Sequence, residues 1–240
     1  MSKKSESKTV IIGGVEYPLV KSKFASNVSP IRVSDNMTGK MEGIPSISTS
    51  CLENPRCIAR MKNGEAVCAH CFAEATLNRF KGAGLNAASN YRLLNSEVLP
   101  LEMLPRFRNV AIVRIESFGD VASVTQVINY INIVKVNPRV MFAAWTKNAD
   151  LWNAAIKEVG KPRNLSLVYS SFKLNKPAEA REYFTSDGAN NFDHIFTVFD
   201  KETAAGYGKG FITCGARDCA TCRRCYQKRA KDFSVREQLK

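Results

Sequence analysis

The residues of this chain with the most legible chemistry are its eight cysteines, which fall into two sets of four. Cys51, Cys57, Cys68 and Cys71 are spaced C-x5-C-x10-C-x2-C, and Cys214, Cys219, Cys222 and Cys225 are spaced C-x4-C-x2-C-x2-C. Thiols serving only as small apolar side chains would be scattered through core segments. The neighbours of the second set are instead Gly, Arg, Asp, Thr and Ala. Sets of four thiolates hold metal. Zinc takes four ligands in a tetrahedron, usually from two C-x2-C turns separated by a longer stretch. Iron–sulfur clusters draw ligands from a loop wrapped around several irons, and C-x4-C-x2-C is one of their spacings. The second set contains that spacing and takes all four thiols from one short stretch. It therefore reads as an iron–sulfur site, with zinc as the alternative. A zinc ribbon pairing Cys68 and Cys71 with Cys222 and Cys225 also satisfies the spacing.

The first set is looser. Cys68-Ala-His-Cys71 is a tight pair running into a helical pattern, with Cys51 and Cys57 upstream in loop. Three ligands would leave one iron of a 4Fe-4S cluster open to an outside molecule, which suits a cluster that does chemistry. Four would close it. His70 is an exposed loop imidazole, a fourth ligand or a donor beside the sulfurs, and His194 reads as structural. With only two histidines, Ser-His-Asp chemistry fits poorly. There is no Walker A lysine loop and no G-x-G-x-x-G, and "KGAGLN" (81–86) is too short for either and sits between helices.

The elements that must position these residues show as alternation. "TVIIGGVEYPLV" predicts a hairpin turning at Gly13-Gly14, with residues 1–9 disordered before it and 25–50 an extended loop after it. Helices are predicted from Phe72 to Gly82 and from Asn86 to Leu99, the latter stopped by Pro100. Strand-like runs follow at 109–120, 139–147, 164–172 and 194–200. Helical runs lie between them at 123–137, capped by Ser123, and at 148–160, with an Asn cap. Such alternation predicts an α/β fold: a partial (β/α) barrel or a parallel sheet with helices, plus a C-terminal cysteine-rich metal-binding loop. The chain divides into an N-terminal tail and hairpin (1–24), an α/β core with the first cysteine set (25–210), and a cysteine-rich segment with a basic tail (211–240). Ligands of parallel sheets sit beyond the carboxyl ends of the strands. That nominates Glu116, Ser117, Asp120, Thr146, Lys147, Ser170, Ser171, Asp200 and Lys201 as a group, most of which will cap a helix or face water.

A net charge of +13 over 240 residues favours anionic partners, nucleic acid first. The basic residues crowd only at Arg223, Arg224, Lys228, Arg229 and Lys231. No apolar run approaches the ~20 residues of a membrane span, and "MSKKSESKTV" lacks the apolar stretch of a signal peptide. The expectation is a soluble, cytoplasmic protein with no membrane contact. In a reducing compartment metal ligation explains eight cysteines better than disulfides do.

Read in order, "PSISTSC", "CAHCFAEATLNRF", "VRIESFGD", "VMFAAWTK" and "FITCGARDCATCRRCY" resemble the phage gene product 88 family over about residues 25 to 235. This likeness implies a bacteriophage protein made in the host cytoplasm. More distantly, the layout resembles radical S-adenosylmethionine enzymes, in which three cysteines hold a 4Fe-4S cluster at the top of a partial (β/α) barrel. There Cys68 and Cys71 match the closely spaced pair, with Cys51, or else Cys57, as the third ligand. The turn of Ser117, Gly119 and Asp120 would meet the S-adenosylmethionine amine, and the C-terminal cysteines would match an auxiliary cluster. The compact C-x3-C-x2-C of that superfamily is absent here. Two functions follow as expectations. One is an iron–sulfur enzyme acting on a nucleic acid or another anionic substrate. The other is a non-enzymatic nucleic-acid-binding protein stapled by zinc or closed clusters.

Overall fold

The computed structural model describes residues 8–214, 218–228 and 233–239. It opens with a hairpin, β1 (Thr9–Ile12) against β2 (Val15–Pro18), turning at Gly13 and Gly14. Both glycines have positive φ, 55° and 76°, as a type I′ turn requires. A second small pair follows, β3 (Val20–Lys21) with β4 (Val28–Ser29).

The body of the molecule is one parallel sheet of six strands. These are β5 (Ser46–Ile47), β6 (Ile112–Ile115), β7 (Met141–Thr146), β8 (Leu165–Ser170), β9 (His194–Phe199) and β10 (Phe233–Gln238). They lie side by side in chain order, and every neighbouring pair is parallel. A sheet wound in one direction by right-handed crossovers gathers its helices on one face. The helices are α1 (Pro55–Met61), α2 (Phe72–Arg79), α3 (Lys81–Ser96), α4 (Val124–Lys135), α5 (Ala149–Val159), α6 (Lys201–Gly206) and the short α7 (Cys219–Cys222). The main core joins α3, α4 and α5 to the outward side chains of the sheet, among them Val113, Ile115, Phe142, Leu167 and Tyr169. This is the expected α/β architecture, a parallel sheet with helices whose strands follow chain order. The first and last strands, β5 and β10, are not paired with each other, so the sheet stays open.

Local signals explain most elements. Ser123 caps α4 by accepting from the Gln126 amide at 3.1 Å, and Gly160 ends α5 with φ 76°. Asn148 occupies the cap position of α5 without capping it. Its side chain instead donates to the Val121 carbonyl at 2.6 Å and accepts from Arg56 at 3.2 Å.

Four features differ from the sequence reading. The loop expected at 25–50 contains β5, the first strand of the sheet. It is only two residues long and set in a Ser-rich stretch, so neither length nor hydrophobicity marks it. Cys57 lies on α1 rather than in loop; Asn54 caps that helix and Pro55 opens it. The break between α2 and α3 falls at Phe80, so "KGAGLN" begins a helix instead of separating two. Finally, a strand follows the terminal cysteines. Phe233–Gln238 pairs with β9, so the second cysteine set lies between two strands of the sheet.

Candidate functional site

All eight cysteines line one cavity of about 1190 Å³. It lies over the face of the sheet opposite α3, α4 and α5 and reaches the carboxyl ends of the strands.

The first set is assembled from four elements that follow β5. Cys51 lies four residues beyond that strand and is buried. Cys57 is on α1, Cys68 is in a single 3-10 turn (Val67–His70), and Cys71 is the N-cap residue of α2. The thiols form a ring of electrostatic neighbours, Cys51 to Cys57 to Cys68 to Cys71 and back to Cys51. Cys51 shares a hydrogen bond with Cys71, which pushes the Cys51 thiol up and draws the Cys71 thiol down. The Ala73 and Glu74 amides favour the Cys71 thiolate further, although they make no full capping bond. Burial raises Cys57 and Cys68, and for Cys68 the Lys147 ammonium and the Arg60 guanidinium oppose the rise.

Beneath this ring the turn after β6, the second strand of the sheet, packs against the loop after β5. Glu116 begins it with φ 56°, in the left-handed region that a non-glycine residue seldom occupies. Its carboxylate accepts from the Thr49 amide (3.0 Å), the Thr49 hydroxyl (2.7 Å), Gln126 (2.8 Å) and the Tyr130 hydroxyl (2.6 Å). Burial lifts its pKa to about 7 despite these donors, with the Asp120 charge adding to the rise. Ser117 bonds to the Ser46 hydroxyl at 2.7 Å, and its amide donates to Ser48 at 2.9 Å. Gly119 passes so close to the β5 loop that a Cβ there would lie 2.4 Å from the Thr49 carbonyl oxygen. Asp120 has both oxygens engaged. Oδ1 accepts from Thr146 (2.6 Å) and from the Val121 amide (2.8 Å). Oδ2 accepts from the Lys147 amide (2.9 Å) and pairs with Arg60 (3.2 Å). Ser117, Gly119 and Asp120 all line the cavity.

The second set folds onto the inner face of the sheet. Tyr226 is 2% exposed and meets Trp145 of β7 edge-on at 6.0 Å, in a small apolar cluster with Ile44, Ile112 and Ala143. Arg114 of β6 stacks its guanidinium on the Trp145 ring, 3.2 Å from the centroid, within electrostatic reach of Cys219 and Cys225. Each of the four thiols is an electrostatic neighbour of the other three. Burial drives Cys225 up to about 12, against the pull of Arg114. Lys40 donates to the Cys214 carbonyl at 2.9 Å, lies 3.7 Å from its sulfur and pairs with Glu237 of β10 at 3.0 Å. His194, first residue of β9, bonds through Nε2 to the Gln227 carbonyl at 2.8 Å and anchors the end of the segment. The resolved thiol–thiol interactions run within each set rather than between them. Among the described residues, no three His, Cys, Asp or Glu side chains form a ready-made single-ion site.

The remaining nominated residues divide. Lys147 faces the cavity and bonds to Ser170, while Thr146 and Ser171 serve the scaffold through Asp120 and Thr197. Asp200 caps α6, whose first residue is Lys201. His70 lines the cavity from an exposed position. Of the basic tail, Arg223 and Arg224 line the cavity and Lys228 reaches the Pro162 carbonyl; Arg229 and Lys231 lie outside the described residues. Sequence reasoning missed Arg114, Trp145, Tyr226 and Lys40. A cation at the centre of "AIVRIE", on the opposite face from Val113 and Ile115, was the available signal for Arg114.

A family model described as gene product 88 matches residues 21–236. No curated protein and no solved structure matches the chain.

Proposed function

The chain belongs to the phage gene product 88 family, and from that premise we propose that it is an iron–sulfur protein, an enzyme of radical S-adenosylmethionine type acting on a nucleic acid or another anionic substrate in the host cytoplasm. The observation that carries the reading is the convergence of all eight cysteines on one cavity over a sequentially wound parallel sheet. The first set follows the first strand and the Ser117–Asp120 turn follows the second, the order that the likeness to radical S-adenosylmethionine enzymes implies.

The donor set suits such clusters. Thiols stand together in fours, and cations stand beside each set: Arg60 and Lys147 near the first, Arg114 and Lys40 near the second. A bound iron–sulfur cluster supplies one-electron chemistry. Cys68, Cys71 and Cys51, with Cys57 as the fourth candidate, would hold the working cluster; Cys214, Cys219, Cys222 and Cys225 would hold the other. Ser117 and Gly119 present a polar edge where S-adenosylmethionine would sit. Asp120 holds Arg60 and the end of β7 in place. Arg114 and Lys147 bring positive charge to the cavity interior, as an anionic substrate requires.

Anaerobic purification with iron, sulfide and zinc quantitation tests the reading. About four or eight irons per chain with matching sulfide are expected. One or two zincs without sulfide would sink it and leave a zinc-stapled nucleic-acid-binding protein.

A further inference from the structure

The rim of the cavity carries a feature that the cysteines do not explain. Phe72 opens α2 and Phe80 ends it; they are 65% and 55% exposed, and both line the cavity mouth. Phenylalanine is ordinarily among the most buried side chains, and here, among the described residues, no other element covers either ring. The cations beside them are exposed too. The Arg79 guanidinium lies 5.3 Å from the Phe80 ring centroid, and Lys81 follows at once. Deeper in, Arg114 and Lys147 face the same cavity, and among the described residues neither has a carboxylate within ion-pair distance. Aromatic faces at the mouth, cations flanking them, two further cations inside and a net charge of +13 point the same way.

We propose that this rim is a stacking platform for a single-stranded nucleic acid: an unpaired base lies on Phe80 or Phe72, and the adjoining phosphates meet Arg79 and Lys81. Every base offers a π-face, so stacking on an exposed ring captures a strand without reading its sequence. A duplex keeps its bases stacked on one another and cannot use the platform except at a frayed end. The strand would then run inward toward Arg114 and Lys147. The inference rests on the nucleic-acid side of the functional reading and is independent of whether the cysteines hold iron.

The test is fluorescence anisotropy of the full chain with short labelled DNA and RNA single strands and with the matching duplex, across a salt series. Iron content is measured on the same preparations. Single strands should bind more tightly than the duplex, and the two single-stranded arms show which sugar is preferred. Phe80→Ala should weaken binding roughly five- to hundred-fold with an unchanged salt slope, and Phe80→Trp should restore it. Arg79→Gln with Lys81→Gln should flatten the salt slope. Phe80 lies nine residues from the nearest cysteine, so its variants should keep the native metal content. Equal affinity for duplex, or Phe80→Ala binding as the native chain does, overturns the platform. So does binding of a peptide but of no strand. Strand binding by iron-free protein would retain this inference while removing the iron–sulfur reading.

Discussion

The two cysteine sets reach the same cavity by opposite routes. The first is collected from a loop, a helix, a 3-10 turn and a helix cap, and its geometry is imposed by how the β5 and β6 loops interlock through Glu116, Gly119 and Asp120. The second is nearly continuous in sequence and is fastened by an aromatic anchor, Tyr226 on Trp145, with Lys40 and His194 at its two ends. A site gathered from distant elements inherits their rigidity but fails with any of them. A site on one loop keeps its internal spacing and fails by detaching.

The largest expected effect separates the two. Tyr226→Ala removes a buried ring and should cost about 3–5 kcal/mol of stability. On the proposed iron–sulfur reading it should also release metal from the second set while sparing the first, as read by thermal unfolding together with metal content. If both sets lost metal together, they would be one structural unit and the contrast would fail.

Glu116 comes next. Its carboxyl titrates near 7 when folded and at its ordinary value of 4.5 when unfolded. Between those values the folded chain holds a proton that the unfolded chain has lost. Stability should therefore fall by about 3 kcal/mol as pH rises from 4.5 to 7 and level off above that. Glu116→Gln should flatten this dependence in denaturant titrations. A native profile as flat as the variant's would show that the carboxylate is better solvated than its burial implies.

Gly119→Ala drives a methyl group against the Thr49 carbonyl, a backbone atom that cannot turn aside. A loss of about 1–3 kcal/mol is expected, with disturbance confined to the first set. Metal loss from the second set instead would reverse the assignment of this turn. The smallest effect belongs to Arg56→Gln at the exposed Arg56–Asp150 pair on the outer side of α1. It should change stability by less than about 1 kcal/mol and leave both sets loaded.

Much of this was readable beforehand because its signals are local. The strands of "VMFAAWTK" and "NLSLVYSSF", the Ser123 cap and the Gly13-Gly14 turn each declare themselves within a few residues. The cysteine spacings declared two sets, and the "SFGD" turn pointed to the end of β6. What stayed hidden depends on partners far away in sequence. β5 is a strand only because β6 lies beside it. β10, "FSVREQ", carries mixed polarity because it ends the sheet, so it read as tail. Tyr226 and Arg114 become neighbours only once the second set folds back across the sheet. The cap and proline at the start of α1 were present in "ENPRC" and went unread because the surrounding loop composition outweighed them.

The Lys40–Glu237 pair joins residues 197 positions apart in sequence. On the ribosome, all four thiols of the first set have been made by residue 71, whereas Lys40 must wait until residue 237 before its partner exists. The order of synthesis thus gives the two sets different ages: the first is present before the second, and the cavity they share gains β10 after every other strand of the sheet.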